Sequence, residues 1–206
     1  MQYSDIDKRK QAFVFELDDV IYPEKDYLFQ VYYLFASFLE YTDLIDAKVA
    51  TNLMVNTYLA GEKENVFEAV KAQFNIDEKY RVNFYHLLLT VKLPLKLLIY
   101  QRILEMLQEI VVDRKKIFIV TNGNPAQQLN KIKQTEWHGL EGYLTCYFAD
   151  EIKPKPATNV IELLLTEHGL QRRDIVMIGN AGADNLCAEA CGVDYIYANE
   201  LITSNK

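Results

Sequence analysis

Histidine, cysteine, glycine and proline are all scarce in this 206-residue chain, at 3, 3, 8 and 5 residues. Few glycines and prolines in a sequence that is half hydrophobic exclude disordered and collagen-like chains and point to a helix-rich globular protein. The cysteines, Cys146, Cys187 and Cys191, are odd in number and lack framework spacing, so no disulfide scaffold is expected. Buried free thiols in a reducing cytoplasm are the expectation instead. His86, His138 and His168 are scattered and match no catalytic dyad or metal spacing. Positive charge is not in excess either. A net charge of −7 argues against a nucleic-acid partner. Long apolar runs are also missing: residues 27–41 are too short to span a bilayer, and 87–107 are broken by Lys92, Pro94 and Lys96. The polar start, residues 1–11, is not a signal peptide.

What is present begins with an apolar run, residues 12–15, that ends abruptly in Glu16, Asp18 and Asp19. This reads as a buried strand. In an open parallel sheet, ligands bind at the carboxyl ends of the strands, where Glu16 and Asp18 stand. Residues two apart on an extended chain point to one side. The pair suits either a hard divalent cation held by oxygen ligands or a division into nucleophile and acid/base.

Beyond Pro23, apolar positions recurring at three and four predict helices over 27–41, 44–59, 64–74 and 78–90. Residues 27–41 are apolar nearly all round, which predicts burial between helices or at an interface. A helix over 95–110 precedes a strand over 116–120, which ends in Thr121-Asn122-Gly123-Asn124-Pro125. Asn124 as N-cap and Pro125 at the first helical position start the next helix, and this corner forms an anion cradle. A third strand, 144–149, runs into Lys153-Pro154-Lys155-Pro156, where each lysine is held extended by the proline after it. A fourth strand, 174–178, ends in Gly179-Asn180-Ala181-Gly182-Ala183-Asp184, and 193–197 is a fifth. One strand, a helical insertion and then repeated strand-helix units predict an α/β doubly wound parallel sheet.

FELDDV (15–20), VTNG (120–123), KPKP (153–156) and GNAGAD (179–184) occur in the order of the four motifs of the haloacid dehalogenase-like (HAD) superfamily. The chain resembles that family at both of its ends. The resemblance implies a Rossmann-like core over 1–21 and 94–206, with 22–93 as a helical C1-type cap. It implies a phosphatase-like hydrolase acting on a small phosphomonoester, such as a nucleotide or sugar phosphate. The nucleophile position falls on Glu16, the acid/base on Asp18, phosphate contacts on Thr121, Asn122, Gly123 and Lys153, and Mg²⁺ ligation on Glu16, Asp18, Asn180 and Asp184.

Two positions depart from the family pattern, which has Asp at both 16 and 180. The extra methylene of Glu16 moves its carboxylate by about 1.5 Å, and a misplacement near 1 Å costs on the order of a hundredfold in rate. Asn180 replaces a charged ligand by a neutral amide, so weak Mg²⁺ binding is expected. The expectation is a weak or altered phosphatase. Its alternatives are an impaired pseudoenzyme that binds a phosphorylated metabolite or protein partner, and an interaction protein built on the aromatic helices. A monomer or homodimer fits all three.

Overall fold

The computed structural model describes residues 1–203. The strands are β1 (Ala12–Phe15), β2 (Leu97–Leu98), β3 (Lys116–Thr121), β4 (Thr135–Glu136), β5 (Leu144–Phe148), β6 (Ile175–Gly179) and β7 (Asp194–Tyr197). Five of them form a parallel sheet in the order β5-β3-β1-β6-β7. The central position of β1 follows from its composition. All four residues are buried, as a strand covered on both faces requires. The sheet is built outward from β1 in both directions, so the strand order reverses there. That reversal is where an open α/β sheet leaves a crevice for ligands.

The helices are α1 (Glu24–Asp43), α2 (Ala47–Leu59), α3 (Val66–Phe74), α4 (Tyr80–Thr90), α5 (Gln101–Val112), α6 (Pro125–Gln134), α7 (Asn159–His168), α8 (Gly182–Cys191) and α9 (Ala198–Ile202). Alternation along the strands sends Ala12, Val14, Phe118, Val120, Ile175 and Met177 to one face. There they form a core with Val160, Ile161 and Leu164 of α7 and Cys187, Ala188 and Cys191 of α8. Cys187 and Cys191 are thus buried free thiols within a packed layer. On α5, Ile103, Leu107 and Ile110 are buried and repeat at helical spacing, and the helix packs on β3.

The chain divides into two compact units, residues 1–23, 97–128 and 135–206 on one side and 24–96 with 129–134 on the other. The second unit has its own core. Phe35 of α1, Phe67 of α3 and Phe84 of α4 meet with ring centroids 5.0–6.1 Å apart, and Arg81 lies 4.4 Å from the Phe67 centroid. Within α1, residues 28, 31, 32, 35, 36 and 39 are buried, but Tyr33 is exposed and Tyr41 is 89% exposed. The helix therefore buries one stripe between helices, and its solvent side carries aromatics as well. The helix expected over 95–110 begins only at Gln101, because Leu97 and Leu98 pair in parallel with Thr135 and Glu136. Among the described residues no helix is long and apolar enough to cross a membrane.

Candidate active site

The strand ends place the site. Glu16 follows β1, and its backbone amide continues the ladder to the Ile178 carbonyl at 3.0 Å. The residue is only 9% exposed. One carboxylate oxygen, Oε1, accepts the Leu17 backbone amide at 3.0 Å and the hydroxyl of Thr121, the last residue of β3. The other, Oε2, pairs with the ammonium of Lys155. Both oxygens are therefore engaged.

Lys155 is the hub. Its Nζ also donates to the Val120 carbonyl at 2.7 Å and pairs with Asp184 Oδ1 at 2.7 Å. Asp184 Oδ2 in turn accepts the backbone amides of Asn180 and Ala181 at 3.2 and 3.1 Å. The turn needs glycine at 179, since a Cβ there would stand 2.6 Å from Asp184 Cβ. The result is a buried Glu–Lys–Asp triad at the point where the strand order reverses.

This placement corrects the sequence reading of the basic loop. Lys153 is exposed, and Lys155 is the lysine that enters the site. The cause is Asn122, whose side chain clamps the Lys155 backbone in both directions: Nδ2 donates to the Lys155 carbonyl at 2.9 Å and Oδ1 accepts its amide at 3.0 Å. Of the two further expected phosphate contacts, Asn122 uses its side chain as that clamp, and the Gly123 amide is given to Asp150 Oδ1 at 2.9 Å.

Asp18 is half-buried, with Oδ1 accepting the Tyr22 hydroxyl at 2.8 Å and Oδ2 accepting Gln128 Nε2 at 3.1 Å. The same Gln128 nitrogen reaches Thr121 Oγ1 at 3.0 Å and the Asn122 carbonyl at 2.6 Å. Gln128 thus joins the Asp18 side of the site to the Thr121 side. The sequence offered little signal for it beyond its place in the first turn of α6, one turn below the Thr121 corner.

The electrostatics of the triad follow from burial. Burial, reinforced by the Asp184 charge, outweighs Lys155 and Thr121 and raises the Glu16 carboxyl above its ordinary value of 4.5. Burial opposes the charge on Lys155 too, but the two carboxylates beside it prevail and hold the ammonium above its usual range. A carboxyl raised in the fold contributes its full stability below 4.5, where the unfolded chain is also protonated. That contribution is lost as pH rises through the folded value. In denaturant unfolding, the stability of wild type relative to Glu16→Gln is therefore expected to fall as pH is raised from 4.5. A difference that is flat, or that grows with pH, would contradict the burial argument.

The donor set does not suit a ready-made divalent-cation site. Glu16 and Asp184 are taken by Lys155, hydroxyl and amide donors, both Asp18 oxygens are hydrogen-bonded, and Asn180 is exposed and neutral. Among the described residues no group of three or more His, Cys, Asp or Glu could hold a metal ion. An ammonium supplies the positive charge that the buried carboxylates require.

An open parallel sheet with carboxylate, hydroxyl and lysine groups at its switch point is the architecture of an α/β protein whose ligand crevice lies outside the carboxyl ends of its strands. The chain belongs to the haloacid dehalogenase-like hydrolases, whose family model matches residues 13–198. Comparison with curated proteins gives no match. Among solved structures, the fold is similar to a putative β-phosphoglucomutase from Thermotoga maritima, at 14% identity over 94% of this chain and 97% of that one, with a TM-score of 0.66. It is also similar to the HAD-hydrolase YfnB from Bacillus subtilis, described as bound to magnesium, at 16% identity over 93% and 90% with a TM-score of 0.61. A haloacid dehalogenase-like hydrolase from Xanthomonas campestris shares 19% identity over 92% and 81%, with a TM-score of 0.57.

Proposed function

We propose that this hydrolase-family protein acts on a small phosphomonoester, a nucleotide or sugar phosphate, with much weakened turnover. The observation that carries the reading is the convergence of Lys155 Nζ, Thr121 Oγ1 and the Leu17 amide on the two oxygens of the Glu16 carboxylate, with Asp18 linked to Thr121 through Gln128. Three donors gathered around one carboxylate suit the oxygens of a phosphoryl group. Asp18, half-buried and sharing the Gln128 amide with Thr121, is the carboxyl that would protonate a leaving oxygen. Turnover is weak on this reading because the Glu16 carboxylate occupies the donors that a phosphoryl group would need, one methylene out from the position of an attacking aspartate. Mg²⁺ would bind weakly, since the carboxylates that would hold it are neutralised by Lys155.

The engagement of Glu16 also favours a second reading, a catalytically impaired relative that binds a phosphorylated metabolite or a protein partner. Both readings fit a cytoplasmic monomer or homodimer whose thiols stay reduced. Hydrolysis of an aryl phosphate with Mg²⁺ separates them. The first reading expects slow wild-type turnover that Asp18→Asn lowers by about a hundredfold, the scale of general acid catalysis. Equal rates for wild type and Asp18→Asn would leave only the second.

A further inference from the structure

We propose that Glu16 is the resident ligand of its own site. Its carboxylate fills the oxyanion seat formed by Lys155, Thr121 and the Leu17 amide, and an external oxyanion enters only when that carboxylate is withdrawn. The inference rests on reading this point as a phosphate seat and adds what occupies it.

The geometry is that of a ligand. The donors that an external oxyanion would need are given to the side chain instead, two of them to Oε1 and the ammonium to Oε2. A carboxylate and one face of a phosphate present similar pairs of oxygens to such donors. The extra methylene carries the Glu16 oxygens toward the donors and away from the backbone that bears them. Tethering makes the occupancy hard to reverse. Even flexible linkers give effective concentrations of about millimolar, and Glu16 is joined to the seat by its own short side chain. Free phosphate at similar concentration therefore competes poorly.

The test is calorimetric titration of inorganic phosphate into the full chain. Wild type is expected to show no saturable binding at millimolar phosphate, and Glu16→Ala to bind at least about tenfold tighter. Acetate should compete with phosphate in Glu16→Ala, because it supplies the missing carboxylate. Adding Thr121→Val to Glu16→Ala should remove most of the gain, which locates the anion in this seat. Wild type binding phosphate as tightly as Glu16→Ala would overturn the inference, as would a Glu16→Ala protein that ignores phosphate. If Glu16→Ala fails to fold, Glu16→Asp decides on the same terms, since it keeps a charge beside Lys155 but draws it back. Phosphate binding gained without hydrolysis in any variant would sink the hydrolase reading and leave the seat. Turnover without any gain in binding would do the reverse.

Discussion

Replacing Lys155 by methionine is expected to destabilise the protein by about 3–5 kcal/mol at neutral pH, the usual cost of removing one partner from a buried ion pair. For a chain of this length that corresponds to a fall in Tm on the order of 10 °C. The cost arises because Glu16 and Asp184, 9% and 2% exposed, would be left facing each other with no cation between them. Methionine matches the length of the lysine stem, so packing is nearly conserved and the loss reports the charge. Its pH dependence separates the two causes. Without the ammonium, the Glu16 carboxyl rises further above its unfolded value, so stability should return as pH falls through its folded value and decline as pH rises. Lys153→Ala, at an exposed position, should change stability by no more than about 0.5 kcal/mol. Thermal and denaturant unfolding of the two variants read this directly. A Lys153 variant that loses as much as the Lys155 variant would return the lysine assignment to the sequence reading.

That assignment shows where the sequence was legible and where it was not. Glu16, Thr121 and Asp184 were readable because each follows or ends an apolar run, and β1, β3 and β6 are buried on both faces. Strand ends in a parallel sheet share one edge, so their convergence needed no tertiary information. Lys153 and Lys155 could not be told apart in that way. Both precede proline and they stand two apart, so local rules treat them alike. The choice is made by Asn122, more than thirty residues earlier, through two hydrogen bonds to the Lys155 backbone. The contacts of Gln128 were not legible for a similar reason: they depend on one nitrogen being shared by Asp18, Thr121 and Asn122. The late start of α5 at Gln101 reflects a two-residue pairing of Leu97 and Leu98 that is too short to leave a periodic signal.

The second large effect is expected on chemistry. Glu16→Asp shortens the side chain by one methylene, which withdraws the carboxylate from Thr121 and Lys155 and frees both donors for a phosphoryl group. It also returns an oxygen to the position from which attack on phosphorus is made. A correction of about 1.5 Å exceeds the 1 Å shift that costs on the order of a hundredfold, so a gain of at least that size is expected. Asn180→Asp adds a charged oxygen at an exposed position beside the triad, raising the charge available to Mg²⁺. The two changes act on different parts of the site and should reinforce each other. Asp18→Asn should remove the gain, because a leaving oxygen must still be protonated.

The occupancy of the site by Glu16 is tested most directly by the initial rate of aryl phosphate hydrolysis with Mg²⁺. Wild type, Glu16→Asp with Asn180→Asp, and that pair with Asp18→Asn are to be compared at equal protein concentration. The predicted result is a rate for the pair about a hundredfold or more above wild type, returning to the wild-type level with Asp18→Asn. A pair no faster than wild type, or a gain that survives the loss of Asp18, would contradict it.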